Sequence, residues 1–496
     1  MNNLVKKVVI VGGGTAGWMT AAYLIKFLAK SDVSITVVES SDIGSVGVGE
    51  ATIPTIREFY GALGMKDQDV MKATNATFKL GIEFQNWFKP NHSFFHPFAQ
   101  YGQSVNGVNF HHYWNKMRQH GYEGELSEFS LGVMLAKNGK FTFPAKNPPS
   151  PMSVFDWALH FDAGLFAKML KEYSLERGVT LIDDKITNVN LRENDGFIDT
   201  LELENEGVVS GELFIDCSGF QALLIEGALK TGYEDWSEWL LCDRAVAVQS
   251  ESASEPLPYT ISAAEGAGWR WQIPLQHRDG NGHVYSSTHM SDDEATQILL
   301  DNVKGSPISE PKSFKFTPGR RVQAWNKNCI AVGLSSGFLE PLESTSIALI
   351  ELAIQKIRLF FPDQTFDKDV IAEFNDRTKM EYERVRDFVI YHYKANRRGD
   401  TDFWRHCESM DIPETLAYKN RLFEKRGHLV KSPYEIFQLP SWLAIYTGNN
   451  VQPTGYDTMV DSFGIDYLKN VFDQMRKSVA DSVAQAPTHA EFLTKI

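Results

Sequence analysis

The feature that most constrains this chain is a glycine-rich turn close to its N-terminus. Residues 8–11 form a run of β-branched side chains, and Gly12, Gly14 and Gly17 follow at once in the spacing Gly-x-Gly-x-x-Gly. Apolar residues then recur at helical spacing up to residue 28, which predicts a strand that turns directly into a helix. Such glycines allow a tight turn, close approach of the backbone to a pyrophosphate, and close packing of the helix on the strand.

The next strand completes this pattern. The predicted helix offers N–H groups and a positive dipole end to an anion. A second apolar run, residues 35–38, ends in Glu39, whose carboxylate is placed to accept hydrogen bonds from a ribose diol. The glycine spacing alone also fits a purely structural turn. Strand, glycines, helix, strand and acid together predict a dinucleotide site.

Later segments extend the predicted sheet. Residues 214–217 and 329–332 read as buried strands that each end in a turn of small residues, so one nucleotide-binding sheet is expected to assemble from distant segments. Three glycines within residues 44–49 predict backbone packed against a flat ligand, with a surface loop as the alternative. There is no second Gly-x-Gly-x-x-Gly motif, so the chain is expected to hold one dinucleotide.

Charge and cysteine content exclude several classes of function. The net charge of −14 argues against nucleic acid and anionic membranes as partners. No apolar stretch reaches the length of a membrane span, and no signal peptide precedes the first strand, so a soluble cytoplasmic protein is expected. The four cysteines are scattered without a C-x-x-C pair, which predicts buried free thiols and no metal site.

The sequence also suggests a division of the chain. Residues 1–360 are expected to form a discontinuous nucleotide-binding core, with an aromatic insertion near residues 90–150. The aromatic density between residues 78 and 114 fits either plain core or a pocket for an aromatic ligand. Residues 361–496 are expected to be mainly helical and to cover the substrate side.

Three further segments resemble one enzyme family. Residues 269–274 read Trp-Arg-Trp-Gln-Ile-Pro, residues 78–81 read Phe-Lys-Leu-Gly, and residues 338–345 read Phe-Leu-Glu-Pro-Leu-Glu-Ser-Thr. They resemble, in turn, the W-x-W-x-I-P signature of flavin-dependent halogenases, their active-site lysine segment, and their active-site glutamate and halide segment. The resemblance runs from Val8 to about Gly448 and is closest to the tryptophan halogenase branch. The signature residues are Trp269, Trp271, Ile273 and Pro274.

This resemblance implies an α/β, flavin monooxygenase-like fold with a Rossmann-type βαβ unit, and FAD that arrives reduced as FADH2. A separate NAD(P)H-dependent flavin reductase would supply it by diffusion, since the chain has one dinucleotide motif. The halide, chloride or bromide, would bind at Thr345 and Ser346; Ser346 stands where the family commonly has glycine. A homodimer is left open. The implied cofactor-binding residues are Gly12, Gly14, Thr15, Ala16, Gly17, Glu39, Ala51, Leu334 and Ile347.

The resemblance also implies the chemistry. Hypohalous acid formed beside the flavin would travel to Lys79, which either becomes a haloamine or holds the acid by hydrogen bonding; both roles stay open. Glu343 would position the electrophile and take the proton from the halogenated ring. His96, Pro97 and Phe98 would contact an indole-type or tryptophan-like substrate. Residues 416–423 lack the family's pattern of residues that bind free tryptophan. This departure favours simple indoles as substrates.

Two other functions fit the glycine motif. A flavin monooxygenase that hydroxylates an aromatic ring would share that motif but would not need Lys79. A non-catalytic flavin-binding regulator would leave Lys79 exposed, as most lysines are. In these alternatives Glu343 simply complements a helix dipole.

Overall fold

The computed structural model describes residues 3–42 and 49–496, and its elements are numbered in chain order. The strands are β1 (Lys7–Val11), β2 (Ser34–Glu39), β3 (Gly49–Ala51), β4 (Thr77–Lys79), β5 (Gly81–Gln85), β6 (Ser93–Pro97), β7 (Ala158–Asp162), β8 (Thr180–Asp183), β9 (Ile186–Leu191), β10 (Ile198–Leu203), β11 (Val208–Ser210), β12 (Leu213–Asp216), β13 (Tyr233–Asp235), β14 (Arg244–Ser250), β15 (Thr260–Glu265), β16 (Gly268–Pro274), β17 (Asp279–Tyr285), β18 (Lys312–Lys315), β19 (Gly319–Arg321), β20 (Trp325–Asn326), β21 (Cys329–Ala331) and β22 (Gly337–Phe338). The helices are α1 (Thr15–Phe27), α2 (Thr55–Ala62), α3 (Asp67–Thr74), α4 (Phe110–Gln119), α5 (Leu131–Lys137), α6 (Ala163–Leu175), α7 (Asp292–Asn302), α8 (Ser346–Leu359), α9 (Lys368–Lys394), α10 (Asp402–Ser409), α11 (Glu414–Arg426), α12 (Leu439–Gly448), α13 (Ile465–Gln485) and α14 (His489–Leu493).

The glycine-rich turn follows the central strand of a six-stranded sheet with the order β20-β21-β12-β1-β2-β8. β1 pairs in parallel with β12 and β2, β12 with β21, and β2 with β8, whereas β20 is antiparallel. The apolar side chains of β1 and β12 are almost completely buried, as expected for parallel strands covered on both faces. The four distant segments predicted to share one nucleotide-binding sheet therefore do so, and the Rossmann-type prediction is confirmed.

A second large sheet has seven strands in the order β18-β14-β17-β16-β15-β5-β6. Its strands β14 to β17 form antiparallel pairs, and β5 joins β15 in parallel. The W-x-W-x-I-P signature forms most of β16. The short strand β4, which ends at Lys79, pairs antiparallel with β7.

The chain forms two compact units, each built from three separated segments. The first contains Met1–Ala76, Phe161–Asp243 and Lys315–Glu383, and the second contains Thr77–His160, Arg244–Phe314 and Arg384–Ile496. The division drawn from the sequence at residue 360 therefore differs from these units, because the chain passes back and forth between them. From Ser346 onward the regular elements of the described chain are helices, as predicted for its C-terminal portion.

Other sequence predictions concern cysteines, membranes and metals. Cys217, Cys242, Cys329 and Cys407 are free and buried, as predicted. No helix among the described residues is long and apolar enough to cross a bilayer. Within the same ranges, no group of three or more His, Cys, Asp or Glu side chains is arranged to hold a metal ion. The predicted ligand-facing glycines 44 and 47 lie outside the described residues.

Candidate active site

In the first unit, the glycine turn has the geometry that its spacing predicts. Gly12 has φ +109°, and a Cβ there would lie 2.3 Å from the carbonyl oxygen of Cys217. A Cβ at Gly17 would lie 1.9 Å from the carbonyl oxygen of Gly12. Both contacts are impossible for a side chain, so these two glycines are required by the turn itself. A Cβ at Gly14, by contrast, would meet no protein atom within 4 Å.

The N-terminus of α1 is open to an anion. Gly14 is its N-cap and makes no side-chain capping bond, and the first turn, which begins with Thr15 and Ala16, contains no acidic residue. Helix N-termini carry N–H groups that need acceptors and a positive partial charge. The open space at Gly14 and this uncapped turn fit the pyrophosphate of FAD.

Glu39 lies directly over this turn, at the end of β2. A Cβ at Gly13 would lie 1.5 Å from Oε2 of Glu39, so the carboxylate is packed against the glycine backbone. Oε2 accepts a hydrogen bond from Trp18 Nε1 at 3.1 Å, and Oε1 accepts one from Lys171 Nζ at 2.5 Å. Each carboxylate oxygen can accept a second bond, so these partners leave capacity for a ribose hydroxyl.

The turn after β21 is packed on the start of α1. A Cβ at Gly333 would lie 2.9 Å from Cβ of Ala16, so the residue directly before Leu334 lies against the first turn of α1. Ala51 ends β3 and Ile347 lies in the first turn of α8, and both are buried. The sequence-predicted cofactor residues of the first unit are thus held on the ends of strands and the beginnings of helices.

Glu343 and the predicted halide residues surround the start of α8. Glu343 ends a 3₁₀ turn and is 1% exposed, and Ser344 follows with φ 58°. α8 begins at Ser346, with Thr345 as its N-cap, but no side chain caps it. The Oγ1 atom of Thr345 is buried without a hydrogen-bond partner. Serine and threonine often cap helices with their hydroxyls, but here no side chain does so, and the first turn keeps donors for an anion.

In the second unit, Lys79 is completely buried at the end of β4. Its Nζ lies 5.3 Å from the ring centroid of Phe98, a cation–π distance. The backbone N–H of Phe98 donates to the carbonyl of Leu80 at 2.9 Å, which fixes this proximity. A buried ammonium needs such surroundings, so the reading of Lys79 as a solvated surface group is wrong.

The predicted ring-contacting residues follow one another at the end of β6. Pro97 is the last residue of β6 and pairs with Gly81, next to the lysine segment. The His96 ring lies 5.6 Å from the ring of Phe388 and 6.1 Å from that of Phe437. His96 is 2% exposed. Phe388 and Phe437 lie outside residues 78–114, so the aromatic wall against which His96 packs comes from later parts of the chain.

The signature residues in β16 are linked by a hydrogen bond to β4, the strand that ends at Lys79. Trp269, Trp271 and Ile273 alternate along β16 and are all buried. The carbonyl of Pro274 accepts a hydrogen bond from Thr77 Oγ1 at 2.6 Å. Thr77 and Lys79 are two residues apart on one short strand, so their side chains leave it on the same side.

A hydrogen-bonded histidine that the sequence analysis overlooked completes this arrangement. Because the Thr77 hydroxyl donates to Pro274, its oxygen accepts from His160 Nδ1–H at 3.0 Å. The bare Nε2 of His160 then accepts from Thr260 Oγ1 at 2.9 Å. Burial, followed by the charge of Lys79, lowers the pKa of His160 well below its usual value. A neutral His160 thus lies beside the lysine strand; its only signal in the sequence is a polar residue within the apolar run of β7.

Comparisons with known proteins agree with this geometry. The model of the tryptophan halogenase family matches residues 7–464. BrvH, a flavin-dependent halogenase from Brevundimonas sp. BAL3, is 53% identical with a TM-score of 0.97, and the match covers 100% of this chain and 99% of BrvH. Tryptophan 6-halogenase SttH from Streptomyces toxytricini is 37% identical over 83% of this chain and 82% of its own. Tryptophan 7-halogenase RebH from Lentzea aerocolonigenes is 33% identical over 87% and 84%.

These matches span nearly the whole chain, and they favour neither a hydroxylase nor a non-catalytic regulator. The structure likewise has the sheet, the glycine turn and the buried lysine that the resemblance implies. The chain therefore belongs to the tryptophan halogenase family and is a flavin-dependent halogenase.

Proposed function

We propose that this enzyme uses FADH2, dioxygen and chloride or bromide to halogenate a simple indole-type ring, with Lys79 as the residue that delivers the halogen. The observation that carries the proposal is the ammonium of Lys79, completely buried and 5.3 Å from the Phe98 ring. Burying a cation is costly, and an ammonium with a shiftable pKa suits reaction with hypohalous acid. When bound, the reduced flavin would activate dioxygen, and dioxygen would supply the two-electron oxidising equivalent that the halide needs.

The nucleotide and the halide are assigned to the first unit. The uncapped N-terminus of α1, with open space at Gly14, would hold the pyrophosphate, and Glu39 would bind a ribose. The unpartnered hydroxyl of Thr345 and the N–H groups at Ser346 would hold the halide. A hydroxyl donor beside a helix N-terminus stabilises a small anion.

Lys79 and Glu343 have different proposed tasks. Lys79 donates hydrogen bonds to hypohalous acid or carries the halogen as a haloamine. Glu343, 1% exposed, accepts the proton that leaves the ring carbon after the carbon–halogen bond has formed. His96, Pro97 and Phe98 hold the ring, since stacked aromatic contacts orient a flat substrate without needing charge.

Hydrogen bonds among the helices of the second unit support the preference for indole. Glu435 is 2% exposed, and its carboxylate accepts from Lys419 Nζ at 2.7 Å, Trp442 Nε1 at 2.6 Å and the Ser432 amide at 2.8 Å. Tyr446 donates to Asn420 at 2.6 Å. These groups are engaged with one another, so they are poor partners for the ammonium and carboxylate of free tryptophan.

Indole is accordingly expected to be at least as good a substrate as L-tryptophan. Two or three charge-assisted contacts to an amino-acid backbone are worth about 1.5–3 kcal/mol each, and the polar groups of Glu435, Lys419 and Tyr446 already bond within the protein. The measurement is kcat/KM for both compounds at saturating halide. A preference for tryptophan of roughly a hundredfold, about 2.7 kcal/mol, would contradict the assignment, because another segment would then have to grip the amino acid.

We also expect the enzyme to depend on a separate flavin reductase that delivers FADH2 by diffusion. The chain contains a single Gly-x-Gly-x-x-Gly motif, so it offers one dinucleotide site and none for NAD(P)H. Purified enzyme supplied with FAD and NADH is expected to give no halogenated indole, whereas chemically reduced FAD restores the product. Halogenation driven by NADH and this chain alone would overturn the expectation.

A further inference from the structure

A short helix far along the chain lies against the strand that carries Lys79. This helix, α14, belongs to residues 465–496, which lie beyond the part of the chain that the family model matches. The backbone N–H of Phe78, the residue before Lys79, donates a hydrogen bond to His489 Nε2 at 3.2 Å. This contact joins residues that are 411 positions apart.

The contact fixes the protonation state of His489. Nε2 must be bare to accept from Phe78, so the ring proton is on Nδ1, which donates to the carbonyl of Pro256 at 2.7 Å. His489 is 1% exposed, and burial lowers its pKa to about 4. The ring is therefore neutral near pH 7 and acts as an acceptor toward the lysine strand.

The amide of Phe78 has a particular need for this acceptor. β4 pairs with β7, and the Phe78 N–H donates to His489 instead of to a further strand. A buried backbone N–H without an acceptor is costly. Losing the imidazole would therefore push the chain at Phe78 toward another conformation, and the backbone of Lys79 would move with it.

Ring packing reinforces the contact. Phe78 stacks on Phe141 with centroids 3.9 Å apart, and Phe492 meets Phe78 edge-on at 5.7 Å. α14 is itself anchored, since the His489 N–H donates to the Gly139 carbonyl at 2.8 Å. Its N-terminus carries a capping box between residues 488 and 491. The helix is thus a rigid support and not a loosely attached end.

We propose that His489 is a positioning residue for Lys79: it holds the Phe78 amide from one side, as Thr77 is held by Pro274 and His160 from the other. The proposal rests on the proposed role of Lys79. Small displacements of a reacting group can reduce a rate a hundredfold. A shifted Lys79 would let the oxidant escape to solvent, so flavin would be oxidised without halogenation of indole.

The test compares His489→Phe, which removes the acceptor but keeps a ring, with His489→Gln, whose side-chain oxygen can accept from Phe78. We expect His489→Phe to give at least about tenfold less bromoindole per FADH2 oxidised, through kcat and not through the KM for indole. His489→Gln should stay within about threefold of the parent enzyme. The matched control is His406→Phe on the exposed face of α10, which should change nothing.

A second readout does not depend on activity. Hydrogen exchange of a peptide covering residues 76–82 should be faster in His489→Phe than in His489→Gln, because the Phe78 amide loses its acceptor. The proposal would be overturned if His489→Phe left the hydrogen exchange of this peptide unchanged. It would also be overturned if His489→Phe formed as much bromoindole per FADH2 oxidised as the parent enzyme does. If His489→Phe does not fold, the double variant Thr488→Ala/Glu491→Ala, which loosens α14, replaces it with the same expectations.

The proposed function can fail separately from this inference. If Lys79→Ala still halogenates indole, Lys79 has no role to be positioned for, and both fail. If Lys79→Ala is inactive while His489→Phe forms as much bromoindole per FADH2 oxidised as the parent enzyme, only the positioning role of His489 is wrong.

Discussion

Replacing Lys79 by alanine is expected to abolish halogenation while FADH2 and dioxygen are still consumed. The ammonium is completely buried beside Phe98, and no other lysine lies within β4 or the neighbouring strand β5. Removing a group that acts only on the transferred halogen should lower kcat/KM for indole by about 10³-fold or more, or roughly 4 kcal/mol in barrier height. Product is followed by mass spectrometry, and flavin oxidation by absorbance.

The matched control is Lys89→Ala. Lys89 also lies over an aromatic ring, with Nζ 5.9 Å from the Phe88 centroid, but it is exposed. Its loss should leave the rate within about twofold, because exposed cation–π contacts are worth only about 0.5–1 kcal/mol. A Lys79→Ala enzyme that oxygenates or halogenates indole at the parent rate would show that this lysine is a structural residue.

Substituting the glycines of the N-terminal turn is expected to separate folding from cofactor binding. In Gly17→Ala the new Cβ would lie 1.9 Å from the Gly12 carbonyl, so α1 must move away from β1. We expect a loss of several kcal/mol in the free energy of unfolding, of the order seen for overpacked sites. FAD affinity should fall by about a hundredfold or more, since the N-terminus of α1 moves with the helix.

Gly14→Ala should behave differently. Its Cβ would meet no protein atom within 4 Å, so the free energy of unfolding should change by less than about 1 kcal/mol. FAD should nevertheless bind more weakly, because the methyl group would occupy the space assigned to the pyrophosphate. Gly61→Ala, inside α2 with the same open surroundings, is the control for helix propensity. Unchanged FAD affinity in Gly14→Ala, measured by fluorescence titration, would place the pyrophosphate elsewhere.

The sequence was most informative where a function needs consecutive residues. Gly12 and Gly17 could be assigned to the turn because strand, glycines and helix follow one another, and the geometry agrees. The sheet was equally predictable, since apolar runs of β-branched residues indicate buried parallel strands. The proposed roles of Lys79 and Glu343, by contrast, came from resemblance, because spacing does not distinguish a buried lysine from a solvated one.

Side-chain contacts between distant segments outside this sheet could not be predicted. His489 meets Phe78 across 411 positions, and no periodicity in either segment indicates that pairing. The interleaved units were not predicted either, because a domain boundary is visible in a sequence only where the composition changes. The unpartnered hydroxyl of Thr345 could not be predicted either, because threonine at a helix start commonly caps the helix with that hydroxyl.

During synthesis, β1, the strand before the glycine turn, is made long before the strands that complete its sheet. β1 pairs with β12, and β12 pairs with β21, which begins at Cys329. At about 5–20 residues per second, translation reaches that strand roughly 15–60 seconds after β1 has been made. Until then β12 presents an apolar edge on which a second nascent chain could pair. We therefore expect the yield of folded enzyme to depend on how well chaperones cover that edge, and polysome crowding to lower the yield even when the mature enzyme is stable.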